Sequence, residues 1–433
     1  MSILFQNVTA VLMDAGRTVL PNAFVAVEDG KIASVGAKKP AGTFARVIDG
    51  KGGILMPGLV NAHTHVPMTA MRGYGDGHEL HDWLNNFIFP VEAKWDDRAI
   101  RACTDLGLME MIASGTTCLC DMYMHTLTVA QAVADAGVSA NLGLGAVFFG
   151  ETFSPDVCSD CAKTQELYSA WHGFDSGRIL VDGSIHAEYT SQPGLWEWVA
   201  DFAKAHGLGV NVHISETRHE HEECKARHGG LTPIRVMEKY GVLDVRCTAA
   251  HCVWTEPQDW AIMAQKGVTA VHNPVSNLKL GSGVAPIPDM RKAGVNIALG
   301  TDGVSSNNTT DMFEDMKLAA ILQNGVRCDP LALTAWDAVE MATLGGARAL
   351  GRDTGAILPG LWADLILLDG QALNLLPCHD AANNIAYAAH GANVTLNMCR
   401  GKVIYENGTF LTIDAEKTRR EVLDYAVPML FGA

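Results

Sequence analysis

The chain has 433 residues, 48% of them hydrophobic and 18% charged, enough apolar material for a large core and too little charge for long disorder. A formal net charge of −16 with no basic cluster argues against nucleic acid as a partner. No apolar run is long enough to span a bilayer, and no charged-then-apolar leader follows Met1. The expectation is therefore a cytoplasmic protein with no membrane partner, its 11 cysteines reduced. Cys158 and Cys161 have C-x-x-C spacing, but no second pair completes a zinc site, and they read as incidental loop thiols.

Taken in chain order, residues 1–55 read as short strands, with an Asp29-Gly30 turn between two of them. The same texture returns at 363–368 and 399–405. These pieces predict a small β-sandwich-like domain built from both chain ends, 1–57 and 351–433, the latter closing with a terminal helix. Between them, apolar runs fall at 54–61, 116–121, 140–147, 179–185, 209–213, 246–251, 268–272 and 296–300. Helical stretches at 97–113, 195–205, 256–265 and 290–293 alternate with them. Eight such strands over about 250 residues predict a (β/α)8 TIM barrel across 58–350. A doubly wound open sheet is the runner-up, but it would not bring the ends of strands 1, 5, 6 and 8 around one centre. The mouth of a barrel is a ring and does so.

The most informative stretch is Pro57-Gly58-Leu59-Val60-Asn61-Ala62-His63-Thr64-His65. Histidines one residue apart at a strand end share one face, because side chains alternate with period two. His213 follows 209–212 with Glu216 three residues on, His251 ends Ala249-Ala250-His251, and Asp302 lies between Thr301 and Gly303. Three imidazoles and a carboxylate suit a divalent cation with one position left for water, so His63, His65, His213 and Asp302 are the expected ligands. Glu216 supplies the proton shuttle that hydrolysis needs beside the metal. His251 reads as polarising the attacking water, and Asp302 as able to take its proton. A second H-x-H, His219-Glu220-His221, lacks a preceding apolar strand and is expected to be a solvated surface. A two-metal site generally needs a bridging anion near the fourth strand end, often a modified lysine. No lysine occurs between Lys163 and Lys204, which favours a single cation, with Glu188 as the remaining candidate bridge.

With these residues in place the chain resembles the amidohydrolase superfamily, and within it the 5'-methylthioadenosine/S-adenosylhomocysteine deaminases. The resemblance runs over nearly the whole length. It is carried by residues 57–74, 83–94, 211–217, 273–281 (Asn273-Pro274-Val275-Ser276-Asn277-Leu278-Lys279-Leu280-Gly281) and 300–308. It implies metal ligation by His63, His65, His213 and Asp302, with one zinc or iron ion per subunit. It also implies substrate contacts from Glu92, His186 and Glu216, with Glu92 accepting from the ribose hydroxyls. The implied reaction is hydrolytic removal of the purine 6-amino group, Glu216 protonating the ring at N1 while His251 and Asp302 orient water against C6. Trp83, Phe87 and Phe89 are candidates to face the base. One departure concerns the arginines with which family members that accept S-adenosylhomocysteine grip its carboxylate. No arginine occurs between Arg101 and Arg178, and 147–153 is apolar with one acid. The expected substrate is therefore a neutral nucleoside: 5'-methylthioadenosine, adenosine or 5'-deoxyadenosine. The rivals are a hydrolase of guanine-like bases or triazines and a non-catalytic scaffold. Self-association is left open.

Overall fold

A computed structural model describes residues 2–432. The chain begins with β1 (Ser2–Val11), β2 (Val19–Glu28) and β3 (Lys31–Gly36) in antiparallel array. Next come β4 (Arg46–Asp49) and β5 (Ile54–Pro57), both parallel to β1.

The barrel follows: β6 (Leu59–Thr64), β7 (Thr116–Met122), β8 (Ser139–Gly143), β9 (Ile179–Val181), β10 (Gly183–Ile185), β11 (Val210–Ile214), β12 (Cys247–His251), β13 (Thr269–His272) and β14 (Asn296–Leu299). Parallel ladders join β6 through β9 and β10 through β14. Nearly every residue in them is buried, as expected of a parallel sheet covered by helices. β9 and β10 are two legs of one stave. The pivot is Asp182, whose buried carboxylate takes the Gly209 N–H and the Arg246 guanidinium. The two ladders are stitched between β14 and β6 by side chain and backbone together. Asn61 donates to Thr301 Oγ1 (2.7 Å), Thr301 N–H donates to Asn61 Oδ1 (3.0 Å), and Asp302 N–H donates to His63 O (3.0 Å). Eight staves result, and the architecture is the expected (β/α)8 barrel.

β15 (Leu365–Leu368), β16 (Val394–Cys399), β17 (Lys402–Glu406) and β18 (Thr409–Phe410) return to the first sheet. β15 pairs antiparallel with β5, so both chain ends share one nine-stranded sheet, ordered β18-β17-β16-β15-β5-β1-β2-β3 with β4 on β1. Its apolar cluster includes Phe5, Val25, Ile32, Leu365 and Met398.

Three sequence expectations change. The apolar run 54–61 is two strands in two sheets, parted at Gly58. A Cβ there would lie 2.2 Å from the Thr117 side chain, so only glycine lets the chain cross from sheet to barrel. The third barrel strand stops at Gly143, short of 147, because Gly145 turns away with φ +68. The fourth breaks at Asp182, as above. The helix Asp97–Ala113 has the expected bounds, its Asp96 cap accepting the Ala99 N–H at 2.8 Å.

Candidate active site

The strand ends β6, β11, β12 and β14 converge at the C-terminal mouth of the barrel, where such folds carry their chemistry. His63 is 2% exposed and His65 follows the last residue of β6. His65 Nδ1 lies 2.6 Å from Met122 O, and His213 Nδ1 lies 2.6 Å from His186 O. A carbonyl can only accept, so both rings carry a proton on Nδ1 and turn Nε2 inward, where a cation can take its lone pair. The two Nε2 atoms are 3.4 Å apart. Asp302 Oδ1 lies 3.2 Å from His65 Nε2 and 3.4 Å from His63 Nε2. Its other oxygen is held by Ser276 Oγ (2.6 Å) and Ser306 Oγ (3.0 Å). Gly300 makes this approach feasible, since a Cβ would fall 2.6 Å from Asn273 Oδ1 and 2.8 Å from His63 O.

The donor set fits a divalent cation on three grounds. Ligand atoms of His63, His65 and His213, and of His63, His251 and Asp302, lie within 4.8 Å of one another. His63 Nε2 is buried without a hydrogen-bond partner, which a polar atom tolerates only with a ligand or water in reach. Borderline nitrogen donors plus one carboxylate are the ligands zinc and iron take. The charges agree: burial lowers His63 to about 4 and pushes His213 well below its ordinary value, leaving both neutral. Burial works against Asp302 ionising, but the histidines around it hold it well below the usual carboxylate range.

Beside this cluster, Glu216 Oε2 lies 3.6 Å from His251 Nε2, and Ser282 Oγ donates to Oε1 at 3.4 Å. Burial raises Glu216, with His251 pulling the other way, so it holds a proton more readily than a surface glutamate. His251 Nδ1 faces Asn277 Oδ1 at 2.8 Å, which frees Nε2 toward the site. His251, Asp302 and Ser215 all sit at positive φ (74, 61 and 51). Non-glycine residues rarely adopt that region, and such positions cluster where function fixes the backbone.

A cavity of about 430 Å³ opens above these residues, within the usual range for small-molecule sites. Glu92, His186, Glu216, His251 and Asp302 all line it. His186 presents its ring 5.0 Å from that of His213, with Nδ1 3.0 Å from Thr190 Oγ1. Trp83 and Phe89 line it as well, but Phe87 packs on Tyr74 and His78 instead.

Three readings need correction. Glu188 does not face the cluster: its 4% exposed carboxylate is taken by Arg227 and by His228 Nε2 at 2.8 Å. It is no bridging ligand. The segment His219-Glu220-His221 is not a solvated surface as a whole, since Glu220 and His221 are each 2% exposed. Glu220 accepts the N–H groups of Ser215 (2.7 Å), Glu216 (2.7 Å) and Thr217 (3.4 Å), clamping the turn that carries Glu216. Cys158 and Cys161 are free, buried thiols at the start of the helix Ser159–Trp171 rather than in a loop. Sequence reasoning also missed Asp160 and Lys163, which line the outer cavity as an ion pair 3.0 Å apart.

A barrel whose mouth gathers histidines, an aspartate and a buried acid defines a metal-assisted hydrolase. The chain belongs to the amidohydrolase family, whose model matches residues 54–404. A 5-methylthioadenosine/S-adenosylhomocysteine deaminase of Acetivibrio thermocellus is 39% identical over 99% of this chain and 100% of its own. A 5'-deoxyadenosine deaminase of Methanothermobacter thermautotrophicus is 39% identical over 97% of each. The crystal structure of an adenosine deaminase from Xanthomonas campestris with bound zinc superposes with a TM-score of 0.93 at 33% identity, covering 99% of this chain and 98% of that one. No helix among the described residues is long and apolar enough to cross a membrane.

Proposed function

We propose that this chain hydrolyses the 6-amino group of adenosine-type nucleosides, giving the inosine analogue and ammonia. The observation that carries the reading is one cavity with the His/Asp cluster and Glu216 at its floor and Glu92 on its wall. Residues 58–350 form the catalytic barrel, and 1–57 with 351–433 the flanking β domain and a terminal helix, whose Val422, Ala426 and Leu430 join the apolar cluster of the barrel helix Asp97–Ala113. We place the enzyme in the cytoplasm, where its thiols stay reduced. His63, His65, His213 and Asp302 would hold one divalent ion, zinc in first place and iron in second. When bound, such an ion makes water acidic enough to lose a proton near pH 7.

The residues then divide the work. Glu216 delivers its proton to purine N1 and makes C6 electrophilic. Asp302 takes the proton that water loses on attacking C6 and returns it to the departing amine, and Glu216 recovers its proton from the C6 hydroxyl as the carbonyl forms. His251, held by Asn277, steers the water through Nε2 and stabilises the negative charge that develops on its oxygen. Glu92 accepts from the ribose hydroxyls and His186 borders the sugar.

The 5' substituent would reach the outer cavity, where Val147 and Phe149 are exposed to it. Among the described lining residues Lys163 is the one lysine or arginine. It is half exposed and already paired with Asp160, so it offers a substrate carboxylate no more than about 1 kcal/mol. Neutral 5' groups are therefore preferred over S-adenosylhomocysteine. A deamination screen over 5'-substituted adenosines, followed by the aminopurine-to-oxopurine spectral change, tests this. A specificity constant for S-adenosylhomocysteine above those of 5'-methylthioadenosine, adenosine and 5'-deoxyadenosine would overturn the preference. No ammonia from any of them would overturn the function.

A further inference from the structure

The helical segment Phe89–Glu92 and the end of β7 bring three side chains into line on the cavity wall. Trp95 Nε1 lies 3.1 Å from Tyr123 OH, and Tyr123 OH lies 2.6 Å from Glu92 Oε1. An indole nitrogen can only donate. Tyr123 must therefore accept from Trp95, and its own proton has one place to go, the Glu92 carboxylate. The hydroxyl rotor is fixed by chemistry rather than by chance packing. Trp95 is 7% and Tyr123 6% exposed, so water does not compete readily for either bond. Burial also drives the Tyr123 phenol well above its ordinary value, which keeps it a donor. Glu92 feels burial raising its pKa, opposed by the Tyr123 hydrogen bond and by His65.

The arrangement leaves the carboxylate asymmetric. Oε1 has one lone pair engaged, while no described residue donates a hydrogen bond to Oε2. Glu92 and Tyr123 both line the cavity. A carboxylate held through one oxygen, with the other open to the cavity, can accept from two adjacent hydroxyl donors.

We propose that Tyr123, oriented by Trp95, is a positioning residue that sets the Glu92 carboxylate to read a vicinal diol, so that the Trp95–Tyr123–Glu92 line makes the enzyme selective for ribo- over deoxyribonucleosides. The proposal rests on the reading of Glu92 as the ribose contact. It goes beyond that reading by assigning the discrimination to residues that act through their hydrogen bonds to Glu92.

The test measures kcat and KM for adenosine, 2'-deoxyadenosine and 3'-deoxyadenosine with the parent enzyme, Tyr123→Phe and Trp95→Phe. Tyr123→Phe should raise KM for adenosine about tenfold, the worth of a hydrogen bond to a charged group. Its kcat should stay within about threefold, and both deoxynucleosides should behave as with the parent. Trp95→Phe should give the same pattern more weakly, because the rotor is freed but the bond can still form. It carries the test if Tyr123→Phe does not fold. A uniform fall for all three nucleosides would mark Tyr123 as merely structural and overturn the proposal. So would a parent-like preference for adenosine in both variants. If the parent itself fails to distinguish the three, the Glu92–ribose contact falls, and the positioning role with it.

Discussion

Glu220 offers the sharpest test of how the site is held, because it touches neither cation nor substrate. Its carboxylate takes two backbone N–H groups at 2.7 Å and a third at 3.4 Å from the turn Ser215–Thr217. Ser215 in that turn is held at φ 51, a conformation that costs about 1 kcal/mol or more for a residue with a Cβ. Burial raises Glu220 to about 7, so it is partly ionised at neutral pH, and each short bond to it contributes about 1–2 kcal/mol. Glu220→Ala removes two of these and strands buried donors, so the turn can relax toward an ordinary conformation and carry Glu216 away. A shift of about 1 Å in a reacting group costs about 10²-fold, which is the expected fall in kcat. KM should change little, and the metal content should be that of the parent, since none of the four expected ligands lies in the turn. Glu220→Gln keeps one acceptor oxygen and should fall about tenfold. Steady-state kinetics with elemental analysis and circular dichroism reads all three. A folded, metal-loaded Glu220→Ala enzyme turning over within about threefold of the parent would refute the clamp.

Glu216→Gln should bind metal and nucleoside normally yet lose about 10²-fold or more in turnover; near-full activity with metal bound would remove it as the proton donor. In the metal-free protein burial would lower His65, but the Asp302 carboxylate 3.2 Å away reverses this and holds it at about 9. The ring is then protonated at neutral pH, and a cation must displace that proton. Metal affinity should accordingly rise about tenfold per pH unit from 7 and level off above about 9, with proton release visible by calorimetry in buffers of different ionisation enthalpy; a flat profile contradicts it. Burial pushes Asp182 up, but the Arg246 charge and three hydrogen bonds bring it below its ordinary value. Its contribution is therefore present above the unfolded pKa near 3.9 and is lost as pH falls through the lower folded value. Thermal unfolding should move down as pH falls below about 4, with that slope reduced in Asp182→Asn, itself destabilised by about 3 kcal/mol at pH 7 because Arg246 is left unpaired.

What the sequence disclosed follows from which signals are local. His63 and His65 were legible because strand alternation is a short-range rule, and His213, His251 and Asp302 because each ends an apolar run. The break at Gly58 was hidden inside one such run, since nothing nearby in sequence reveals that Thr117 will press on it. Glu220 carried a usable sign that was passed over: Thr217-Arg218-His219-Glu220 has capping-box spacing, and the structure forms that box. A capping glutamate faces back over the helix start, and here the start is the turn bearing Glu216. Asp160 and Lys163 gave no sign, because only the fold brings their helix beside the cavity. Ser276 and Ser306 look like ordinary hydroxyl residues until Asp302 is placed between them.

The pairing of β5 with β15 has a consequence for biosynthesis. The histidine-bearing stave leaves the sheet directly through Gly58, whose N–H is held by Asp364 O, more than 300 positions downstream. As the chain emerges from the ribosome, the start of the first stave therefore lacks this backbone bond until residue 364 has been made. Closing so long a loop is slow, so the entry to the first stave is expected to be fixed late, and a nonsense mutation ahead of residue 364 would leave the barrel strands without the sheet that holds Gly58.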